Sequence, residues 1–115
     1  MPRDVEAKAR HVPISPQKAR LVVDMVRGKE VVDALDILKF TPNKAARSVT
    51  KVLNSAVANA EHNFGLNRYD LYVHHIVADE GPTRKWRRFG ARGRVKPRLR
   101  RSSHISVVLR EREEE

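Results

Sequence analysis

Arginine dominates the stretch TRKWRRFGARGRVKPRLRR, which runs from Thr83 to Arg101 and contains no acidic residue. A planar guanidinium binds phosphate through two parallel hydrogen bonds and stacks on nucleobases, whereas the lysine ammonium acts as a point charge. Eight arginines and two lysines therefore favour a phosphate-bearing ligand. The ten cations are Arg84, Lys85, Arg87, Arg88, Arg92, Arg94, Lys96, Arg98, Arg100 and Arg101.

This segment carries the whole excess charge of the chain. The 115 residues include 24 basic and 14 acidic side chains, for a formal net charge of +10. Because the segment takes ten of the 24 cations, the 14 that remain balance the 14 acids. Self-repulsion at such a density opposes compaction, so a polyanionic partner is expected.

Trp86 and Phe89 add rings that can stack on unpaired bases. A solvated basic loop is the alternative interpretation.

The remaining chemical groups form no recognisable catalytic or metal site. His74 and His75 are adjacent on a predicted strand, so they are expected to point to opposite faces, and no third ligand lies at a suitable spacing. Asp79 and Glu80 are expected to stabilise the base of the basic segment or to pair with Arg101. The absence of cysteine excludes disulfides, thiolate zinc sites and cysteine nucleophiles. We predict no enzyme activity, no cofactor and no metal.

Apolar periodicity and capping residues predict three helices. Ser15 and Pro16 fit the N-cap and first position of the first helix, and Gly28 fits its end. The inner face of this helix is predicted to carry Leu21, Val22, Met25 and Val26. A second helix is predicted over residues 30–40, where apolar residues recur at steps of three and four.

The third helix is predicted to be the longest and to lie at the centre of the fold. Thr41-Pro42 repeats the cap-and-proline start, and Gly65 ends the pattern. Its alanine content predicts close packing against a neighbouring element. The apolar stripe consists of Ala45, Ala46, Val49, Val52, Leu53, Ala56, Val57 and Ala60.

Strands are predicted over residues 5–12, 71–78 and 104–109, which alternate or are rich in β-forming residues. One face of the last strand carries Ile105, Val107 and Leu109. The second and third strands flank the basic segment, so they pair directly if that segment folds back on itself. From Arg110 onward the chain ends in an acidic tail that is expected to fray.

The basic segment is predicted to be a β-hairpin. Gly90-Ala91-Arg92-Gly93 lies at its midpoint, residue 92, where two glycines permit the positive φ of a tight turn. Each leg of about 10 residues spans roughly 30 Å at ~3.3 Å per residue. Pro97 lacks an N–H, which a strand tolerates only at an edge or bulge. Because the legs lack an apolar face, we expect the hairpin to be loose alone and ordered on phosphates.

Seven short motifs resemble one protein family in their order and spacing. They are ISPQKARLV (14–22), RGK (27–29), ALDIL (34–38), KVLNSAVANAEHN (51–63), DEGP (79–82), ARGR (91–94) and RSSHI (101–105). In that family the first four belong to the three helices and the others to the base, tip and return of a hairpin. Over about residues 5–109 the chain thus resembles ribosomal protein L22 of the large subunit.

The resemblance implies an α+β fold, with three helices packed on a small three-stranded antiparallel sheet and a long protruding β-hairpin. It implies a structural constituent of the large ribosomal subunit that binds several domains of 23S rRNA, aids assembly and contacts neighbouring ribosomal proteins. The hairpin tip is expected to line the exit tunnel and meet the nascent peptide transiently. The implied tip residues are Phe89, Gly90, Ala91, Arg92, Gly93 and Arg94.

Contacts with rRNA from outside the hairpin are also implied. The residues are Arg10, His11, Ser15, Lys18, Arg20, Asn54, Asn59, His62, Asn63 and His104. Asn59 and Asn63 are four apart on one helical face, where amides can bond ribose or phosphate. Amides that only cap or cover the helix surface are the alternative.

The expected organisation is a single domain in the cytoplasm, without homo-oligomers or membrane contact. A body is predicted over about residues 5–80 and 103–110, the hairpin over about 81–102, and the acidic tail over 111–115. The segment MPRDVEAKAR lacks a signal-peptide apolar region, and no apolar run approaches the ~20 residues of a membrane span.

Three other functional classes fit the composition less well. An architectural DNA-binding protein also presents a basic β-arm, usually as a dimer with two arms. A polybasic membrane-surface module needs an amphipathic apolar face, which the segment lacks. An enzyme would require a cofactor that copurifies with the chain.

Overall fold

A computed structural model of the chain describes residues 4–81, 84–89 and 95–112, with side chains over 4–81 and 101–112. The helices are α1 (Pro16–Val26), α2 (Val31–Lys39) and α3 (Lys44–Phe64), with a 3₁₀ turn at Arg68–Asp70. The strands are β1 (Asp4–Val12), β2 (Leu71–Glu80), β3 (Arg84–Phe89), β4 (Val95–Arg100) and β5 (Ser103–Glu111). No described helix is long and apolar enough to cross a membrane.

Strand β5 lies at the centre of an antiparallel sheet, between β1 and β2. Its predicted inner face is confirmed, because Ile105, Val107 and Leu109 are fully buried while the alternate positions are half-buried. The helices cover this face, and α3 contacts β1, β5 and both other helices. The predicted α+β fold, with three helices on a three-stranded antiparallel sheet, is therefore confirmed.

Helix α3 has the predicted stripe, and all eight of its apolar residues are buried. Its predicted start is wrong, because the helix begins at Lys44 and Asn43 is the N-cap. The Asn43 side chain accepts a hydrogen bond from the Ala45 N–H at 2.7 Å. The Thr41 hydroxyl instead donates to the carbonyl of Ile37, in the preceding helix. At the other end Gly65 adopts φ 65°, as the predicted C-terminal glycine requires.

The buried face of α1 differs from the prediction. Leu21 is 66% exposed and Met25 is 43% exposed, whereas Val22 and Val26 are buried as expected. The remaining inner positions are Ala19 and Val23. The continuous apolar run from residue 21 to 23 is compatible with two apolar stripes on the helix. In the fold, the stripe with small and β-branched side chains is the buried one.

Strand β2 lies at the edge of the sheet, yet its outer carbonyls have partners. The Gly28 N–H donates to the carbonyl of Val73, and the Arg27 guanidinium donates to that of Ile76, each at 3.0 Å. The Arg20 Nε donates to the carbonyl of Ala78 at 3.0 Å. Helix α1 and the turn after it therefore close an edge that would otherwise offer a template for pairing with another chain.

Removal of the Arg27 side chain tests this edge contact. Arg27→Ala is expected to lower the free energy of unfolding by about 1–2 kcal/mol, because the Ile76 carbonyl loses its charged donor. Urea unfolding followed by circular dichroism measures the change. Lys29→Ala removes a nearby exposed cation and is the control, with an expected change within about 0.5 kcal/mol. Equal losses in both variants would contradict the proposed role of Arg27.

Two expectations for β2 are wrong. The strand continues through Asp79 and Glu80, beyond its predicted end at residue 78. His74 and His75 are both exposed rather than on opposite faces, because the register with β5 shifts between Val73 and His75. Such a bulge inserts one extra residue and interrupts the strict alternation of faces.

The acidic tail is more ordered at its start than predicted. Strand β5 continues through Glu111, and the Arg110 guanidinium holds both carboxylate oxygens of Asp4, at 2.8 and 3.1 Å. This hydrogen-bonded ion pair lowers the pKa of Asp4. Arg112 forms an ion pair with Glu30. The predicted fraying of residues 113–115 lies outside the described residues.

Candidate nucleic-acid interface

The basic segment forms an antiparallel two-stranded ladder of β3 and β4. Its register runs from Arg84 opposite Arg100 to Phe89 opposite Val95, so the ladder is centred on residue 92, as predicted. Pro97 lies opposite Arg87 in a ribbon where each strand has a free edge, which accommodates its missing N–H. The predicted tip residues 90–94 lie outside the described residues.

The ladder projects from the body. The Cα radius of gyration is 17.4 Å and the principal extents are 68 × 25 × 20 Å. A compact chain of this length has a radius of gyration of about 13 Å. The two-stranded ladder therefore extends the molecule beyond the dimensions of a compact body.

The base of the hairpin is tightly built on β2 and β5. The Gly81 N–H donates to the carbonyl of Ser102 at 2.9 Å, and the Ser103 hydroxyl donates to the carbonyl of Ile14 at 2.6 Å. Ser103 is fully buried. A Cβ at position 81 would lie 2.5 Å from the Ser102 Oγ and 3.3 Å from His104. The direction in which the hairpin leaves the body is therefore set by packing as well as by strand pairing.

Addition of one methyl group at position 81 tests this packing. Gly81→Ala is expected to lower the free energy of unfolding by about 1–3 kcal/mol, as for other overpacked sites. Rotation of the Ser102 hydroxyl relieves the 2.5 Å contact, but the Ser102 carbonyl carbon and the His104 ring remain at 3.3 Å, so these neighbours must also shift slightly. Thermal and urea unfolding measure the change. A variant as stable as the parent protein would show that the residues around position 81 shift at little cost in free energy.

His11 and His104 meet beside this base. The rings lie edge to face at 5.0 Å, and the His11 backbone N–H donates to the His104 Nδ1 at 3.1 Å. His11 adopts φ 58°, which is uncommon for a residue with a side chain. Because Nδ1 accepts this bond, the Nε2 of His104 carries the ring proton in this arrangement. The hydrogen bond thus orients the His104 ring at the end of β1, beside the base of the hairpin.

A groove of about 370 Å³ lies at the same end of the molecule. Its polar lining comes from Ser15, Lys18, Asn43, Lys44 and Arg101. The first turns of α1 and α3 both open onto it, and neither contains an acidic residue. Two positive helix ends and three cations therefore face one concave surface, which suits a phosphate group. Ser15 is the N-cap of α1 as predicted, although its side chain makes no capping hydrogen bond.

The other predicted contact residues are more scattered. Arg20 is exposed, but its Nε donates to the carbonyl of Ala78 in β2. The half-buried Asn59 donates to the Glu6 carbonyl at 3.4 Å. Both side chains therefore have structural partners. Besides Arg20, the exposed residues of the set are Arg10, His11, Lys18, Asn54, His62, Asn63 and Arg101. Of the predicted residues whose side chains the structure describes, Ser15, Lys18 and Arg101 lie together in the groove.

A second group of cations was missed in the sequence. Lys39, Lys44, Arg47 and Lys51 line a larger groove between α2 and α3. The formal neutrality of the body concealed them, because its acids lie elsewhere. The signal was present as a run without any acidic residue, from Ile37 to Ala60.

Four acids of the body form ion pairs with arginines that line neither groove. Ion pairs join Asp24 to Arg27, Glu61 to Arg68, Asp4 to Arg110 and Glu30 to Arg112. The hydrogen-bonded partner Arg68 lowers the pKa of Glu61. Within residues 4–81, 84–89 and 95–112, no cluster of three potential metal ligands occurs. The described chemistry is that of an anion-binding surface.

Comparison with known protein families agrees with this surface chemistry. The family model described as ribosomal protein L22p/L17e matches residues 7–110, which is nearly the whole chain. This is a family of structural ribosomal proteins and not of enzymes. The chain therefore belongs to the ribosomal protein L22p/L17e family and is an rRNA-binding structural constituent of the large ribosomal subunit.

Proposed function

We propose that the β3–β4 hairpin threads through 23S rRNA and that its tip, residues 89–94, lines the exit tunnel for the nascent peptide. The observation that carries this proposal is the ladder centred on residue 92, which presents a segment with ten cations and no acid. Phosphates neutralise the repulsion between its legs, so rRNA is the environment in which such a ribbon is stable.

The body contributes a second, shorter-range contact with rRNA in this proposal. The groove formed by Ser15, Lys18, Lys44 and Arg101 lies where the hairpin leaves the body. A phosphate held there orients the body relative to the hairpin, since phosphate contacts position a protein without reading sequence. The exposed residues Arg10, His62 and Asn63 extend the proposed contact.

We further propose that the protein acts in the cytoplasm, aids subunit assembly and packs against neighbouring large-subunit proteins. It forms one domain, does not form homo-oligomers and does not bind membranes. Its hairpin draws rRNA segments together, because one ribbon of this length meets phosphates from more than one helix. These roles follow from the family and from the charge of the hairpin.

Sedimentation of a lysate tests the main proposal. At low salt the protein is expected to comigrate with large subunits and to leave them only at high salt. Duplex DNA added as a competitor should release little of it. Release by duplex DNA at concentrations where rRNA fragments fail would contradict rRNA as the preferred partner.

Cross-linking tests the position of the tip. A photoreactive amino acid at Ala91, in ribosomes stalled on a nascent chain, is expected to capture that chain. The same amino acid at Ala58, which is exposed on α3, is the matched control and should capture none. Capture at position 58 but not at position 91 would overturn the proposed tunnel location while leaving rRNA binding intact.

A further inference from the structure

The larger groove lies between the C-terminal end of α2 and the first turns of α3. Its volume is about 900 Å³, and its lining includes Lys39, Thr41, Lys44, Arg47, Thr50 and Lys51. We propose that this groove binds a single-stranded segment of RNA, with phosphates along the α3 cations and one unpaired base stacked on Phe40. This site lies on the body and uses no hairpin residue.

The cations of α3 form a regular row. Lys44, Arg47 and Lys51 are spaced by three and four residues, so they share one helical face and span about 10 Å. Lys39 belongs to α2 and faces the same groove. All four side chains are exposed, and no ion pair among the described residues includes any of them. The groove lining contains no acidic residue, so its charge is available for an anionic ligand.

The two threonine hydroxyls of the groove are used internally. The Thr41 hydroxyl donates to the Ile37 carbonyl, and the Thr50 hydroxyl donates to the Ala46 carbonyl, each at 2.7 Å. The Asn43 side chain caps α3 through its oxygen, so the side-chain donors left to a ligand are the four cations and one amide NH2. Such a surface recognises the phosphate backbone and tolerates different sequences.

Phe40 supplies the flat surface that a base requires. It is 80% exposed at the C-cap of α2. Its ring does not line the groove but adjoins it, since the lining residues Lys39 and Thr41 are its neighbours in the chain. The Lys39 ammonium lies 5.9 Å from the ring centroid. An exposed aromatic ring beside cations is the arrangement by which single-stranded nucleic acids are held, through stacking and backbone neutralisation.

These features favour single-stranded RNA over two other polyanions. A duplex keeps its bases stacked internally, so Phe40 would have no partner. An acidic protein segment matches the charge but offers no planar base for the ring. Lys44 lines both grooves, so an RNA strand at this site lies next to the groove at the hairpin base.

Salt-dependent binding of the full-length chain tests the row of cations. The probe is a labelled oligouridylate of about 12 nucleotides, long enough to follow a groove of this kind. The background carries glutamine at Arg84, Arg87, Arg98 and Arg100, which reduces binding by the hairpin. Lys44 is left unchanged because it also serves the other groove.

The combined variant Arg47→Gln, Lys51→Gln is expected to make the slope of log affinity against log salt shallower by about 1.4, from ~0.7 per phosphate contact on a single strand. The matched control Lys8→Gln, Lys29→Gln removes the same charge from exposed positions outside both grooves and should leave the slope unchanged. Equal slopes for the two double variants would overturn the proposal.

Phe40→Ala tests stacking independently of charge. Affinity is expected to fall roughly 5- to 150-fold with an unchanged salt slope, because a base loses its aromatic partner. Tyr69→Ala is the matched control, since Tyr69 is 73% exposed and lies outside the groove. Parental affinity for Phe40→Ala, or competition by polyglutamate as effective as that by oligouridylate, would overturn RNA as the ligand. Either result leaves the hairpin proposal intact, because sedimentation and cross-linking test that proposal separately.

Discussion

Replacement of Leu53 by alanine is expected to lower the free energy of unfolding by about 2–5 kcal/mol. Leu53 is fully buried in α3, the helix that contacts β1, β5 and both other helices. Loss of its side chain removes apolar contacts and leaves a cavity that a close-packed helix cannot fill. A single domain typically has only about 5–15 kcal/mol of stability, so this is a large fraction. Urea unfolding followed by circular dichroism at 25 °C measures it.

Leu21→Ala is the matched control for this prediction. It makes the same chemical change in a helix, but Leu21 is 66% exposed. Its expected effect is within about 0.5 kcal/mol. The comparison also checks the orientation of α1, because the sequence predicted Leu21 on the inner face. Similar losses for Leu21→Ala and Leu53→Ala would show that α1 is rotated from the position described above.

Neutralisation of four hairpin arginines is expected to have the largest effect on rRNA binding. With six to eight phosphate contacts, the parental slope of log affinity against log salt is roughly −4 to −7. Glutamine at Arg84, Arg87, Arg98 and Arg100 should make this slope shallower by roughly 3, because four fewer counterions are released. The probe is a structured large-subunit rRNA fragment, titrated at several salt concentrations.

Lysine at the same four positions separates charge from geometry. It retains the net charge but loses the planar fork that binds phosphate through two hydrogen bonds. The slope is therefore expected to stay near the parental value, while affinity at a fixed salt concentration falls. A parental slope in the glutamine variant would show that these four arginines make no electrostatic contribution to rRNA binding.

The local features of the fold were readable from sequence because each depends on neighbouring residues. The α3 stripe follows from the 3.6-residue helical period, and all eight predicted residues are buried. The alternation of Ile105, Val107 and Leu109 follows from the period of a strand. The centre of the hairpin at residue 92 follows from two glycines placed midway between flanking strands.

The wrong predictions arose where a local pattern allowed more than one outcome. An apolar run in α1 fits two stripes, and packing against the sheet left Leu21 and Met25 exposed. Strand alternation predicted opposite faces for His74 and His75. A bulge in the pairing of β2 with β5 shifts the register at this point, so the alternation does not hold there. Asn43 rather than Thr41 caps α3, because the Thr41 hydroxyl bonds back to the end of α2.

The sequence alone determined the charge and the centre of the hairpin, the periods of the helices and strands, and the family to which they point. Only the tertiary structure decided which cations act together. Lys18, Lys44 and Arg101 are distant in the chain, but the N-termini of α1 and α3 meet the hairpin base and form one groove. Lys39 joins Arg47 and Lys51 in the same way. Charge counting treats a body with 14 cations and 14 acids as neutral, whereas folding separates the two signs in space.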